Sequence, residues 1–527
     1  NMKSPSLNRL INNSVAYGMA STSLEGVENA DTVFFVGADV SEAHPVVGSM
    51  VRKAIRVNKT KVIIANVRNV EFGCETKNLL RLNYKFGTQT TLINAMMKVI
   101  VDEKLVNLKK AADKTKNFSE IRSSLKSVDL GIKKVSKATN ISEDTIRAAA
   151  TSIAKAGNCY VLCGKDIEED PSGEETIEAL MNLCALVNKG DSDKVSIVFS
   201  RQNNNSQGVN DMGVVPEFLP GYLDINDQEN RDVVEELWGA KLPAVLKNNS
   251  GDIFDQAVKK KIKALYVMGE NPIVNYPNGK KVNDAFKKAE FVVVQDSFLT
   301  ETAQLADVVL PSSTYVEKGG TFTNMVMTVQ RLHKAVPQVE DSKPDWQIIC
   351  DLAEKMGHEF DYTTSKDIVD EIGKSVPIYE GIEVNRLRRK GFHWILSLYY
   401  KTKAEMYRFE IAGKKTGVIK SNKKHPFILL TGSSLRHQGT YSRYSESLVS
   451  LASECFVEIN RQDAKKAKIV DGDNVKIESA QGNIKLKAKT TGRVPEGAVF
   501  ISEDYEWVPV NKLRGDGYTN VKISKTK

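Results

Sequence analysis

Six apolar runs in this 527-residue sequence each end in small polar or charged side chains. After residues 31–37 come Ala38, Asp39, Ser41 and Glu42; after 61–65, Asn66 and Arg68; after 160–163, Gly164, Lys165 and Asp166. Arg201 and "QNNNSQG" follow 195–200, Gly269, Glu270, Asn271 and Pro272 follow 262–268, and Gln295 and Asp296 follow 291–294. The stretch "DSFLTETAQLADVVLPSSTYVEKGGTFTN" (296–324) repeats the form, with an apolar strand that stops at Pro311 before hydroxyls, Glu317 and two glycines. One polar strand end is an ordinary turn. Six together, dense in carboxamides at 203–205, 271 and 295, form a set of donors and acceptors for one large, heteroatom-rich ligand. In open α/β sheets such a ligand lies outside the carboxyl ends of the strands.

The elements holding these tips are legible from period and punctuation. Strands at 31–39, 61–68, 160–166 and 194–205 alternate with helices around "HPVVGSMVRKAIR", "NAMMKVIVDEKL" and "SEDTIRAAATSIAKAG" (142–157). The last has Ser142 as cap, acids in its first turn and Gly157 at its end. Ser172 and Glu175 have capping-box spacing ahead of "ETIEALMNLCALVNK". A second α/β stretch contains "IKALYVMGENP" (262–272), "EFVVVQDS" (290–297) and "ADVVLPSS". Strands that are apolar throughout and alternate with helices predict parallel sheets covered on both faces. From 338 to 424 the pattern is helical and irregular, ending in the lysine-rich "KKTGVIKSNKKHP", which reads as a linker. Beyond it, short strands with turn signals make an all-β module, with "SAQGN" as a hairpin tip.

Composition narrows the classes. The length suits three or four domains at roughly 100–200 residues each, and 41% hydrophobic content is enough for large cores. No run approaches the ~20 apolar residues of a membrane span, and "NMKSPSLNRLINN" has no apolar signal region, so a soluble chain is expected. Six scattered cysteines without CxxC pairing suit a reducing cytoplasm, and Cys159 and Cys163 read as buried thiols. The net charge is +8, with local runs "KKKIK" (259–263) and "RLRRKG" (386–391). Solvated faces account for these, or else a polyanionic ligand; basic residues are not interleaved with aromatics as in a single-strand binder. Neither G-x-G-x-x-G nor G-x-x-x-x-G-K-[ST] is present, which disfavours a simple NAD enzyme or P-loop NTPase.

Longer motifs carry a resemblance. "MGENP" (268–272), "VVQDSFLTETAQLADVVLPSSTYVEKGGTFTN" (293–324) with "VQRLHKAVP" behind it, and "GADVSEAHPVVG" (37–48) resemble the molybdopterin oxidoreductase superfamily. "SRQNNNSQGVNDMGVVPEFLPGY" (200–222) is similar to the active-site loop of formate dehydrogenase catalytic subunits, and "SKPDWQII" (342–349) and 457–491 match as well. The resemblance implies an α/β fold of two parallel-sheet, Rossmann-like lobes followed by a C-terminal β-barrel of double-psi type. The expected domains are 1–203, 204–345 (a second lobe whose N-terminal part is missing from the chain), a connector at 346–424, and a dinucleotide-binding barrel at 425–527.

It further implies two molybdopterin guanine dinucleotides holding molybdenum or tungsten, ligands that offer many hydrogen-bonding atoms and little apolar surface. Carried over by motif, the first lobe should contact them through Gly37, Asp39, Glu42, Asn66, Arg68, Gly87, Gln89 and Gly164. The second should use Asn271, Gln295, Asp296, Ser312 and Asp345, where Asp296 and Asp345 could accept two hydrogen bonds from guanine N1 and its amino group. The barrel should use His437, Thr440, Tyr441 and Ser442, with Asn511 and Tyr518; Ser433 stands where many relatives carry arginine. Arg201 is the expected catalytic residue, its guanidinium a fixed fork for the carboxylate of formate. The implied reaction is two-electron oxidation of formate to CO2, or its reverse, in partnership with an iron–sulfur or hydrogenase subunit. Nucleic acid is not an expected partner.

The family's four-cysteine [4Fe–4S] motif and its metal-ligating selenocysteine or cysteine are not in these residues. "SPSL" (4–7) aligns with the segment just after that ligand, which puts Met2 or Lys3 in its place. The expectation is therefore the C-terminal part of a longer protein, inactive alone, such as a selenocysteine codon read as a stop would leave, and no metal ligand is assigned within the chain. Alternatives are another molybdopterin oxidoreductase such as a nitrate reductase, against which "RQNNNSQGVNDMG" argues, and a non-catalytic complex I large-subunit-type electron-transfer module. A basic nucleic-acid binder is the third, and would show salt-sensitive DNA binding.

Overall fold

The structure, a computed structural model, describes residues 23–127, 130–190, 194–200, 203–215, 218–243, 253–388, 391–393, 407–409, 418–419, 421–515 and 517–526. The first lobe is built on β1 (Thr32–Val36), β2 (Lys61–Asn66), β3 (Leu79–Asn83), β4 (Cys159–Gly164) and β5 (Val195–Ser200), all parallel, in the order β3-β2-β1-β4-β5. Side chains alternate across a strand, so each strand feeds two cores. Val33, Phe35, Val62, Ile64, Tyr160 and Leu162 pack on the helix Pro45–Asn58. Phe34, Val36, Ile63, Val161, Cys163 and Ile197 pack on the helices Gln89–Asp102, Glu143–Ala154 and Gly173–Gly190. Cys159 and Cys163 are fully buried, and that burial pushes both thiols well above their ordinary range.

Ser142 caps its helix as its position predicts, its hydroxyl accepting the Thr145 N–H at 3.1 Å, although the helix stops at Ala154, short of Gly157. The Ser172 hydroxyl is used differently from a capping box: it donates to Asp170 at 2.6 Å and accepts from Gln89 at 2.9 Å. β3 did not stand out in the sequence, because "LLRLN" is short and sits at the sheet edge.

Between the lobes runs a small ribbon, β6 (Phe218–Leu219) and β7 (Leu223–Asp224). The second parallel sheet has three strands, β8 (Ala264–Met268), β9 (Phe291–Asp296) and β10 (Val308–Pro311), in the order β10-β9-β8. One face packs on the helices Ile253–Val258 and Gly279–Lys288. The other leaves Tyr266, Met268, Phe291 and Val308 exposed, so the expectation of two covered faces fails here. An antiparallel sheet follows, β11 (Gly320–Thr323), β12 (Thr328–Leu332) and β13 (Phe392–His393), which the polar "GGTFTN" concealed in the sequence.

The C-terminal module is a closed six-stranded barrel. Its strands are β14 (Phe427–Gly432), β15 (Phe456–Asn460), β16 (Asn474–Glu478), β17 (Asn483–Thr491), β18 (Ala498–Ser502) and β19 (Asn520–Lys525), ordered β14-β18-β15-β17-β16-β19. Val457, Ile459, Val475, Ile477, Val499, Ile501 and Val521 fill its core. Closure removes the sheet edges, and the hairpin between β16 and β17 turns at 479–482, where the sequence places its tip. No described helix is long and apolar enough to cross a membrane.

Candidate functional site

The barrel sits where the carboxyl ends of both parallel sheets open. In the first lobe the sheet order reverses between β1 and β4, and there the chain leaves β1 through Gly37 at φ +59°. A Cβ on Gly164, at the end of β4, would lie 2.1 Å from the Gly37 carbonyl oxygen, so glycine permits the two strand ends to close together. The Gly37 carbonyl accepts the Asp166 N–H at 3.2 Å.

Around this switch point the expected residues gather. Asn66 donates to Asp166 at 3.1 Å and accepts the Arg68 N–H at 3.0 Å. Asp166 is open to solvent yet ringed by protein, as a side chain lining a recess is, and that desolvation pushes its carboxyl up to about 6. Arg68 is buried, with its guanidinium 3.3 Å over the Phe500 ring and 3.4 Å from Glu458, both on the barrel. Its burial lowers the guanidinium pKa. Asp39 accepts the Glu42 N–H at 3.3 Å and lies 3.6 Å from Arg493 of the barrel; burial outweighs these cations and raises its carboxyl above the usual range. Glu42 accepts the Leu435 N–H at 2.8 Å.

Four carboxylates, Asp39, Glu42, Glu71 and Glu458, thus stand around Arg68 and Arg493. The chain's positive charge is not concentrated at this junction, so neutral N–H donors rather than net charge would have to carry a phosphate there.

A neighbouring cluster joins Gly87, Gln89 and Tyr518. Gly87 turns at φ +79° ahead of the helix that Gln89 begins. The Tyr518 hydroxyl donates to Asp170 at 2.7 Å, and its ring meets Phe86 edge-on at 5.1 Å. Lys165 forms an ion pair with Glu503, while Arg514 reaches Glu169 at 3.3 Å and Glu503 at 3.2 Å.

The same barrel segment touches the second lobe. Asn271 donates to Glu301 at 3.0 Å and to Glu506 at 2.7 Å, and accepts from Thr302. Thr440 donates to Glu506 at 2.6 Å, and Arg443 pairs with Glu301 at 2.6 Å. Asn511 donates to the Val274 carbonyl at 2.8 Å. Buried Gln295 links Tyr266 to Asp345 (2.7 Å to the latter), and Asp345 also pairs with Lys318. Asp296 accepts the Phe298 N–H at 3.1 Å, and its burial, with Glu270 and Glu506 nearby, raises its carboxyl. Ser312 meets the Ser297 hydroxyl at 3.3 Å. Half-exposed Tyr441 packs edge-on against Phe298 at 5.6 Å.

One expected residue looks inward instead. Ser442 closes its own loop, accepting the Gln438 N–H at 2.9 Å. His437 is buried, its Nε2 2.7 Å from the Ala452 carbonyl and its ring against Tyr505 and Trp507. Arg201 lies outside the described residues. Arg493, Glu458, Glu506, Arg443 and Arg514 are central to the junctions and escaped the sequence reading. Their one signal was charge inside barrel strands and turns, where apolar or small residues are the norm.

A group that bound here should find unused polar atoms. Asp39 Oδ2, Arg68 Nε, Gln89 Oε1 and His437 Nδ1 are buried and make no hydrogen bond. Buried polar groups are ordinarily paired, so four such atoms on residues expected to contact a cofactor fit a ligand rich in donors and acceptors. Asn271 does not, because protein partners already saturate its carboxamide.

Residues 2–355 match the molybdopterin oxidoreductase family and 427–525 the molydopterin dinucleotide binding domain. A formate dehydrogenase alpha subunit of Methanocaldococcus jannaschii is 34% identical over 505 residues, covering 92% of this chain and 73% of its own length. Formate dehydrogenase H of Escherichia coli is 30% identical over 519 residues, 94% of this chain and 71% of that one. Acetylene hydratase from Pelobacter acetylenicus superposes with a TM-score of 0.71 over 100% of this chain and 85% of its own, at 17% identity, which speaks for the fold alone.

Proposed function

The chain belongs to the molybdopterin oxidoreductase family, as an oxidoreductase like the formate dehydrogenase alpha subunits, and from that premise we propose that it takes part in oxidising formate to CO2. The observation that supports this reading best is the convergence of both sheets' carboxyl ends on one barrel, with Asp39, Arg68 and His437 holding unsatisfied polar atoms. Two pterin guanine dinucleotides carrying molybdenum or tungsten are the proposed ligand. In the first lobe Gly37, Asp39, Glu42, Asn66, Arg68, Gly87, Gln89 and Gly164 would hold one of them. In the second, Gln295, Asp296, Ser312 and Asp345 would hold the other, and His437, Thr440, Tyr441, Asn511 and Tyr518 of the barrel would lie over both.

When bound, the metal–pterin group supplies a two-electron acceptor. The chain's own residues do the rest. Arg201 is the proposed anchor for the formate carboxylate, because a guanidinium can offer a carboxylate two N–H donors. Formate then gives up two electrons and a proton and leaves as CO2. The buried Arg68–Glu458 contact and the partly exposed Arg443–Glu301 contact hold the barrel against the lobes. That enclosure excludes water and strengthens each polar contact inside.

The metal-ligating selenocysteine or cysteine and a [4Fe–4S] cluster are proposed to reside on polypeptide beyond these residues, with electrons passing on to an iron–sulfur or hydrogenase subunit in the cytoplasm. The "RQNNNSQGVNDMG" stretch favours formate over the nitrate reductase alternative. Viologen-linked formate oxidation tests the reading. Turnover is expected from the protein completed by its cluster and metal-ligand segments, and none from the 527-residue chain alone. Substantial turnover by the chain alone would refute the proposed division of labour.

A further inference from the structure

Asp211 closes the short helix Ser206–Asp211, which starts directly after the asparagines at 203–205, and its side chain is fully buried. A carboxylate held there needs donors on both oxygens. Its Oδ1 accepts from Gln207 Nε2 and from the Tyr222 hydroxyl, each at 2.7 Å, and its Oδ2 accepts from the Tyr379 hydroxyl at 2.7 Å. Gln207 Nε2 also donates to the Tyr222 oxygen at 2.7 Å. Burial, and next the Asp211 charge, push the Tyr379 phenol far above its ordinary range, so it keeps its proton and gives it to the carboxylate. Its oxygen then accepts from the Thr323 hydroxyl at 2.8 Å.

The groups come from stretches far apart in the chain: the helix itself, the turn at Tyr222, the end of β11 and the 3₁₀ turn Pro377–Tyr379 of the connector. Two features show how closely they are held. Tyr222 sits at φ +65°, a left-handed conformation that is strained for an aromatic residue, and such strain persists only where the surroundings over-determine it. A Cβ on Gly208 would lie 2.4 Å from the Asn205 side-chain oxygen and 3.2 Å from Thr323 Oγ1.

The same Asn205 oxygen accepts the Thr323 N–H at 2.9 Å. The helix is thus gripped at both ends, by Thr323 through Asn205 and by Tyr379 through Asp211. Asn203 and Asn204, just ahead of it, are exposed. We propose that Asp211, Tyr379 and Thr323 are positioning residues that fix the Asn203–Asn205 loop and so set where its carboxamides stand for the substrate. They act through the loop rather than by touching substrate. The connector, irregular by its sequence pattern, thereby takes part in the site. This deepens the formate reading and rests on it for the identity of the substrate.

The test uses the protein completed by its cluster and metal-ligand segments. Tyr379→Phe removes one hydroxyl and keeps the ring. Hydrogen exchange is expected to quicken at the Thr323 amide and at the Val209 amide, which bonds to the Asn205 carbonyl at 3.0 Å. The gain should be at least about tenfold, as for loss of one hydrogen bond to a charged group. KM for formate should rise by about tenfold with kcat within about twofold, because a displaced loop weakens ground-state and transition-state binding alike. Tyr222→Phe, which frees the other carboxylate oxygen, should act the same way and decides the matter if Tyr379→Phe does not fold. Tyr362→Phe removes a phenol–carboxylate bond of 2.6 Å to Glu371 outside this network and should change neither readout. Parent exchange rates in both Tyr379→Phe and Tyr222→Phe would overturn the proposal. So would faster exchange with an unchanged KM, since the network would then serve the fold alone. A completed parent that does not turn over formate would refute the functional reading instead, and the exchange rates would still decide whether the network holds the loop.

Discussion

Arg68 is the most exposed point of the account to experiment, because one guanidinium joins the first lobe to the barrel. It is 8% exposed, stacks 3.3 Å above Phe500 and lies 3.4 Å from Glu458. Breaking a buried ion pair by removing one partner costs roughly 3–5 kcal/mol, and a desolvated cation–π contact contributes up to about 2 kcal/mol. Arg493, 3.9 Å from Glu458 and 3.6 Å from Asp39, remains to compensate part of the stranded charge, which favours the lower end. We therefore expect Arg68→Ala to weaken barrel docking by about 3 kcal/mol, roughly a hundredfold in the opening equilibrium. Glu458→Gln should cost less, and the double variant should fall short of the sum by about 1–2 kcal/mol, as coupled pairs do. The local readout is hydrogen exchange at the Asn69 amide, which bonds to the Arg493 carbonyl across the junction at 2.8 Å. Strict additivity, or an Asn69 amide that exchanges at the parent rate in Arg68→Ala, would refute the reasoning.

Two further outcomes follow from the geometry. Burial pushes Asp504 from 3.8 up to about 6, so the stability this carboxyl contributes is whole below pH ~4 and is lost as pH rises through about 6. Asp504→Asn should match the parent near pH 4 and exceed it by up to about 3 kcal/mol at pH 7, measured by urea unfolding at each pH; a constant difference across that window would contradict the shift. Gly164→Ala would drive a Cβ into the Gly37 carbonyl and the Ala38 backbone, and should lower the urea midpoint by an amount equivalent to about 2–3 kcal/mol or more. An unchanged midpoint would show that β1 and β4 part easily at their ends.

Much of this was legible in the chain before folding. Buried parallel strands such as "TVFFV" and "CYVLCG" announce themselves because both faces are apolar, and Ser142 announces its helix because a hydroxyl at that position satisfies an amide. The strand ends were legible for the same reason: a run of small polar groups at the close of an apolar run has no packing role. What the sequence could not carry was partnership across distance. Arg493, Glu506 and Arg443 matter through residues tens or hundreds of positions away, and nothing local distinguishes them from surface charge. Nor could it reveal that Asn271 spends its carboxamide on Glu301, Glu506 and Thr302 within the protein, or that Ser172 binds Asp170 rather than its own helix. The uncovered face of β8, β9 and β10 was invisible for a different reason, since a pattern that calls for a covering layer is identical whether or not the layer is at hand.

The most direct measurement is the metal and nucleotide content of the protein purified with the segments it assembles with, from cells supplied with molybdate and tungstate. Acid release of two guanine nucleotides per molybdenum or tungsten atom is the result the account predicts. A folded assembly containing neither metal nor guanine nucleotide would contradict it.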